Sequence, residues 1–296
     1  AAEAAGPEPA ARRLAGGVGT WALAVEERDL DALRFTADAA VAGPGGCPAL
    51  LACAVAGWAE GVRCLLARRA DASAADCRGQ TPLHAAVKAG AQELLLALLE
   101  ARADCNAQDR EMEGGEEFRS GHYARKTQHR TALHYAAERL DRGLCGALLE
   151  RGALVNIRDC WYKTPLHLVE DEPTSEEQLE IASLLLAHGA DPNLGNMERG
   201  PLQTSVLAAV HGRNVALAQL LVKARADVLA RGKQGMGALH LAARTGHVEL
   251  ARVLLEARAD PAGRTPSGAS AVDLARANGR SQMAALLGAP SAAPSG

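Results

Sequence analysis

The sequence predicts an all-α solenoid of stacked helix–turn–helix units, and three observations carry that reading. Hydrophobic residues make up 48% of the chain but aromatics only 3%, so the core must be built from Ala, Leu and Val. Such residues suit closely packed helices, whereas sheets favour β-branched and aromatic side chains. Next, Thr-Pro-Leu-His stands at 81–84 and again at 164–167, with relatives in Thr131-Ala132-Leu133-His134 and Gly237-Ala238-Leu239-His240 and weaker echoes at Thr204 and Ser270. Finally, the intervals 131→164, 204→237 and 237→270 are each 33 residues. A unit of that size cannot bury its own apolar faces, so neighbouring copies must complete one another's core.

Within one unit each element has a local reason. In Thr81-Pro82-Leu83-His84 the threonine hydroxyl is placed to cap a helix. Proline fits the first turn, where its missing N–H costs nothing. Leu83, Ala86 and Val87 form the buried stripe, and Gly90 ends the short helix in a left-handed conformation. A second helix over Gln92–Glu100 supplies Leu94, Leu95, Leu98 and Leu99 at helical spacing. Ala103-Asp104 then opens the turn into the next unit, as do Ala70-Asp71, Ala190-Asp191, Ala226-Asp227 and Ala259-Asp260.

The tetrapeptide at this period resembles the ankyrin repeat family over about residues 20–288. The resemblance implies a solenoid whose helix pairs are joined by β-hairpin fingers. About seven repeats start near Gly57's unit, Thr81, Thr131, Thr164, Thr204, Gly237 and Ser270, after a degenerate N-terminal cap over Trp21–Arg34 that breaks near Arg28-Asp29. The last unit stops at Gly288. The head 1–19 and tail 289–296, rich in Ala, Pro, Gly and Ser, read as disordered.

Composition excludes several function classes. With 32 basic and 35 acidic residues, a net charge of −3 and a pI near 6.3, bulk attraction to nucleic acid or an acidic membrane surface is not expected. Apolar runs such as Leu94–Leu99 fall far short of the roughly 18–20 residues that span a bilayer, so no membrane insertion is expected. Seven cysteines lack any CxxC spacing and read as reduced thiols of a cytoplasmic or nuclear protein. The opening residues show no secretory signal. Arginine outnumbers lysine 27 to 5, which reads as coding composition without mechanistic consequence.

Catalytic and metal chemistry find no foothold. No HExxH, GxSxG or GxxxxGK[ST] run is present, so no catalytic residue, metal or cofactor is assigned. By the resemblance, His84, His134, His167 and His240 hydrogen-bond locally and bridge adjacent hairpins, and His247 belongs to a structural Gly-His pair. The acids Asp171, Glu172, Glu176, Glu177 and Glu180 read as a solvated cluster, with Thr174-Ser175-Glu176-Glu177 as a capping box.

Two features stand outside the repeat pattern. The interval from Thr81 to Thr131 carries 17 extra residues, placed in 110–130. That segment is acidic first and basic second, and it contains Phe118, Tyr123, Arg125 and Lys126; long insertions of this kind carry function or are disordered. The finger before Thr164 reads Asp159-Cys160-Trp161-Tyr162-Lys163 in place of the family's Asp-Gly turn. Fingers point away from the stack in the family, which would expose Trp161 and Tyr162, a pair typical of interface hot spots; the alternative is that Trp161 folds back onto the insertion and makes a private core there.

The expectation is therefore a non-catalytic scaffold or adaptor, monomeric on its own. It would bind a protein partner through its fingers and concave helix face, with Phe118, Tyr123, Arg125, Lys126, Trp161, Tyr162 and Lys163 as the contact residues. The rival is the substrate-recognition arm of a larger enzyme assembly such as a ubiquitin-ligase receptor. The eight residues after Gly288 leave no room for the appended box such receptors carry. The resemblance also implies possible hydroxylation of a hairpin asparagine, a place occupied by Asn106, Asn156 and Asn193; asparagine also simply suits a turn there.

Overall fold

The computed structural model describes residues 20–36, 48–110, 128–170, 175–196 and 203–288. Head, tail and most of the inserted segment lie outside these ranges. The described residues form sixteen α-helices in eight antiparallel pairs. The first pair, α1 (Thr20–Glu26) and α2 (Leu30–Thr36), is the cap, and its turn passes through Arg28 at φ 53°. Seven repeats follow. They are α3 (Ala49–Val55) and α4 (Ala59–Ala67), α5 (Pro82–Lys88) and α6 (Gln92–Glu100), α7 (Ala132–Glu138) and α8 (Arg142–Glu150), α9 (Pro165–Glu170) and α10 (Glu176–Ala187), α11 (Ser205–His211) and α12 (Val215–Lys223), α13 (Ala238–Thr245) and α14 (Val248–Glu256), and α15 (Ala271–Ala277) and α16 (Ser281–Gly288). A single 3₁₀ turn covers Lys233–Gly235.

The chain divides into two compact units, Ala1–Cys160 and Trp161–Gly296. Within the first, α1, α3, α5 and α7 pack side by side as one layer and the second helices of each pair as another. Leu50, Leu51, Leu65, Leu83, Leu94, Leu95, Leu98, Leu133, Leu144 and Leu148 fill the space between them. The second unit repeats the plan with α9, α11, α13 and α15 against α10, α12, α14 and α16, around Leu166, Ile181, Leu185, Val210, Leu221, Leu250 and Leu254.

Among the described residues no strand forms, and isolated antiparallel bridges close three of the fingers between pairs: Asn196 with Gln203, Arg231 with Gly237 and Arg264 with Ser270. The repeat without a signature has its own device. Trp58 precedes α4 and is buried, and a Cβ on Gly61 one turn later would overlap the Trp58 ring. Glycine inside a helix is unfavourable by about 1 kcal/mol, and here it makes room for that indole.

Candidate partner-binding surface

The fingers share a closing hydrogen bond. In the first unit Asp76 N donates to Gln80 O at 3.1 Å, and Asp76 Oδ1 accepts from Gln80 N at 2.9 Å. One repeat on, Asp109 N donates to Arg130 O at 2.9 Å, and Asp109 Oδ1 accepts from Arg130 N at 2.9 Å. The same two bonds thus close a loop of three residues in one finger and of 20 residues, 110–129, in the next. The insertion is grafted at the fingertip and leaves the frame beneath it unchanged.

A buried polar cluster holds that graft point. The Asp109 carboxylate is fully buried; its Oδ2 accepts from the Tyr135 hydroxyl and lies 3.8 Å from Lys88 Nζ. The ammonium sits 4.3 Å from the centre of the Tyr135 ring, and the His84 ring meets that ring edge-on at 6.0 Å. Arg130 pairs through Nη1 with Glu138 at 2.9–3.0 Å and through Nε with Asp159 Oδ2 at 3.6 Å. Burial works against the Arg130 charge, but the Glu138 and Asp159 carboxylates outweigh it and its pKa is raised. Buried charges need such partners.

All four tetrapeptide histidines bond locally, and His84 and His240 also bridge to the next finger as expected. Thr81 N donates to His84 Nδ1 at 3.2 Å, while His84 Nε2 lies 3.0 Å from Arg130 O in the next finger. A carbonyl can only accept, so Nε2 carries the proton and Nδ1 is the acceptor. His240 repeats this with Gly237 N and with Gly263 O at 3.0 Å. Thr81 and His84 form a capping box at the start of α5, and the Thr81 Oγ1 also lies 2.9 Å from His84 Nδ1. In the last repeat Asp273 takes the histidine's place, with its Oδ2 accepting from Ser270 N at 2.9 Å and from Ser270 Oγ at 2.7 Å. The acidic cluster needs a small correction: the residue that caps α10 is Ser175, whose Oγ accepts from Gln178 N at 3.1 Å, and Gln178 replaces the acid at the third helical position.

Of the expected contact residues, Phe118, Tyr123, Arg125 and Lys126 lie outside the described residues. Trp161 is half-buried and Tyr162 is 49% exposed. Tyr162 holds φ 60°, the left-handed conformation that glycine supplies in other fingers, for example Gly79 at 69° and Gly268 at 83°. Lys163, expected beside them at the tip, is only 6% exposed: it immediately precedes the buried Thr164 and the start of α9, so the chain has already turned inward there. It offers little to a partner. The asparagines have structural work. Asn106 Oδ1 accepts from Leu154 N at 2.8 Å and Asn193 Oδ1 from Asp227 N at 2.7 Å, each reaching the following repeat, while Asn156 is exposed.

Against known proteins, family models described as ankyrin repeats match residues 21–109, 128–160, 161–197 and 221–275. The chain belongs to the ankyrin repeat family. Among solved structures, the ankyrin repeat domain of Bcl-3, described as a unique member of the IkappaB protein family, superposes with a TM-score of 0.66 at 26% identity over 80% of this chain and 96% of that one. Rabankyrin-5 of Homo sapiens is 32% identical over 121 residues, which are 38% of this chain and 10% of that protein. The Transient receptor potential cation channel subfamily A member 1 homolog of Caenorhabditis elegans is 37% identical over 98 residues, 33% of this chain and 8% of the relative. Zygote-specific protein 3 of Chlamydomonas reinhardtii is 43% identical over 81 residues, 27% and 20% respectively. The chain therefore spans a fifth or less of the curated relatives it matches. No helix among the described residues is long and apolar enough to cross a membrane.

The ankyrin frame also gives the arginines a purpose that composition hid. Arg139 Nη1 donates to Lys88 O at 3.1 Å and Arg151 Nη1 to Leu99 O at 3.0 Å, so the repeat of α7 and α8 caps both helix ends of the repeat before it. Arg231 Nη1 reaches the other way, onto the following finger at Arg264 O, at 2.7 Å. Arginine suits this because its fork of donors complements the exposed carbonyls and the negative end of a helix. The recurrence of arginine one or two residues past eight of the sixteen helices was the available signal.

Proposed function

We propose that this ankyrin repeat protein is a non-catalytic scaffold or adaptor that takes a protein partner on its fingers. Tyr162 carries the reading. A closed turn holds a large aromatic ring 49% exposed at a position where φ is 60°, a conformation that disfavours any side chain. Retaining tyrosine there in place of glycine costs stability, and binding is the function that would offset it. Trp161 adds apolar area beside it. Phe118, Tyr123, Arg125 and Lys126 belong to the proposal on their chemistry, with two aromatics to anchor and two cations to steer. Asparagine hydroxylation is a secondary proposal, with Asn156 and Asn193 as the exposed candidates. The same surface would serve a freestanding adaptor or the recognition arm of a larger assembly.

The experiment is affinity purification with the intact chain, with Tyr162→Gly and with residues 111–127 replaced by a short Gly-Ser linker. Tyr162→Gly removes the ring and relieves the backbone, so it should lose captured protein while melting no lower. An unchanged set of captured proteins with both variants would place the interface elsewhere.

A further inference from the structure

In the first unit, backbone bonds join successive finger segments edge to edge. Arg110 N donates to Arg78 O at 2.6 Å, Asp109 N to Arg130 O at 2.9 Å, and Cys160 N to Gln128 O at 2.9 Å. Gln108 Nε2 ties two of these segments together, reaching His129 O at 2.7 Å and Arg158 O at 3.1 Å. Segments linked this way lie about 4.8 Å apart, so Arg78, Arg110 and Arg158 span about 15 Å. All three are exposed.

Two of the three finger acids face away from this row. Asp109 and Asp159 are buried against Lys88, Tyr135 and Arg130. Asp76 spends its Oδ1 on the amides of Arg78 and Gln80 in its own turn. The fold thus turns two of these three carboxylates inward and leaves the three arginines exposed. That arrangement is invisible in a chain of net charge −3.

We propose that the row Arg78, Arg110 and Arg158 is a docking surface for an acidic peptide segment of the partner. The proposal rests on reading the fingers as the partner surface. Guanidinium forks pair bidentately with carboxylates, and an extended peptide at about 3.3 Å per residue lays four or five residues along the row. A peptide fits better than nucleic acid. Sequence-independent nucleic-acid binding draws on about 6–10 phosphate contacts, and a short row on a net-acidic protein does not supply them.

The test is fluorescence anisotropy with a labelled oligoglutamate decapeptide, an oligoglutamine decapeptide and a ten-nucleotide oligothymidylate. Glu111, Glu113, Glu116 and Glu117 follow Arg110 in the sequence and share the ligand's chemistry. The titration is therefore run on the intact chain and on a variant with these four changed to Gln. Binding of oligoglutamate alone by either chain is expected. It should weaken with salt and fall about tenfold in Arg78→Ser/Arg110→Ser, with the melting temperature unchanged and with no loss in Tyr162→Gly. Absence of oligoglutamate binding in both chains, equal binding by the arginine variant, or tighter binding of the oligonucleotide would overturn the inference. The first two leave the partner reading to its own purification experiment.

Discussion

Arg139 lies across Gly90. Its guanidinium donates to the carbonyl of Lys88, and its Nη2 would sit 2.7 Å from a Cβ placed on that glycine. Gly90 itself has φ 68°, so both backbone and neighbour demand the absence of a side chain. One repeat later the same turn is made by Leu140 at φ 52°, with no such demand met.

The two positions predict opposite outcomes. Gly90→Ala should destabilise the protein by about 1–2 kcal/mol, from left-handed strain and the displaced arginine. Leu140→Gly should stabilise by up to about 1 kcal/mol. Urea denaturation of both variants checks this, and a loss of stability in Leu140→Gly would show that its side chain packs usefully.

Tyr135→Phe should lower stability by about 1.5–3 kcal/mol, the range for a hydrogen bond to a charged group, because it strips a donor from the buried Asp109 carboxylate. Proteolysis inside 110–130 reports on the graft point separately. Cleavage should quicken in the variant under native conditions, whereas an unchanged rate would mean that the backbone bonds alone hold the loop's ends.

The unit from Thr204 should open first. Leu207 stands where histidine stands in four other repeats, and Thr204 Oγ1 and Ser205 Oγ are buried without a hydrogen-bond partner. Hydrogen exchange should show α11 exchanging faster than α13. Leu207→His restores a partner for Thr204 and should gain about 1 kcal/mol; equal protection of the two helices in the parent chain would refute the assignment.

Acid should weaken the second unit through His240. Burial lowers its pKa below the ordinary imidazole value, the bond to Gly263 works against that, and Arg231 adds to the lowering. With the folded value depressed, the contribution is fully present above the ordinary value of about 6.5 and is lost as pH falls through the folded one. Protonation of Nδ1 removes the acceptor for Gly237 N. The urea midpoint should therefore fall from pH 7 to pH 5, and less steeply in His240→Gln. A parallel pH profile for the variant would clear His240 of the effect.

Much of this was legible because it is local. Thr81, Pro82 and Gly90 announce one helix with a start, a first turn and an end, and the 33-residue register carries that reading to its copies. Gln92–Glu100 came out with the right ends for the same reason. What stayed hidden depends on which way a side chain turns. Nothing in Asp159-Cys160-Trp161-Tyr162-Lys163 says that Lys163 goes inward while Tyr162 stays out. Asp109 sits in register with Asp76, yet only the structure brings Tyr135 and Lys88 to it. The arginines looked like composition until Arg139 and Arg151 were found on the carbonyls of preceding helices.

The paired Asp109 and Arg130 uncouple the insertion from the frame beneath it. For a flexible chain, lengthening a closed loop from three to 20 residues costs about 1.7 kcal/mol, and the cluster around Tyr135 can absorb that. The stretch 111–127 can then vary in length and chemistry while the backbone bonds at Asp109, Arg110, Gln128 and Arg130 stay as they are. The finger acts as a socket, and a foreign epitope spliced in place of 111–127 should be displayed without redesign of anything beneath it.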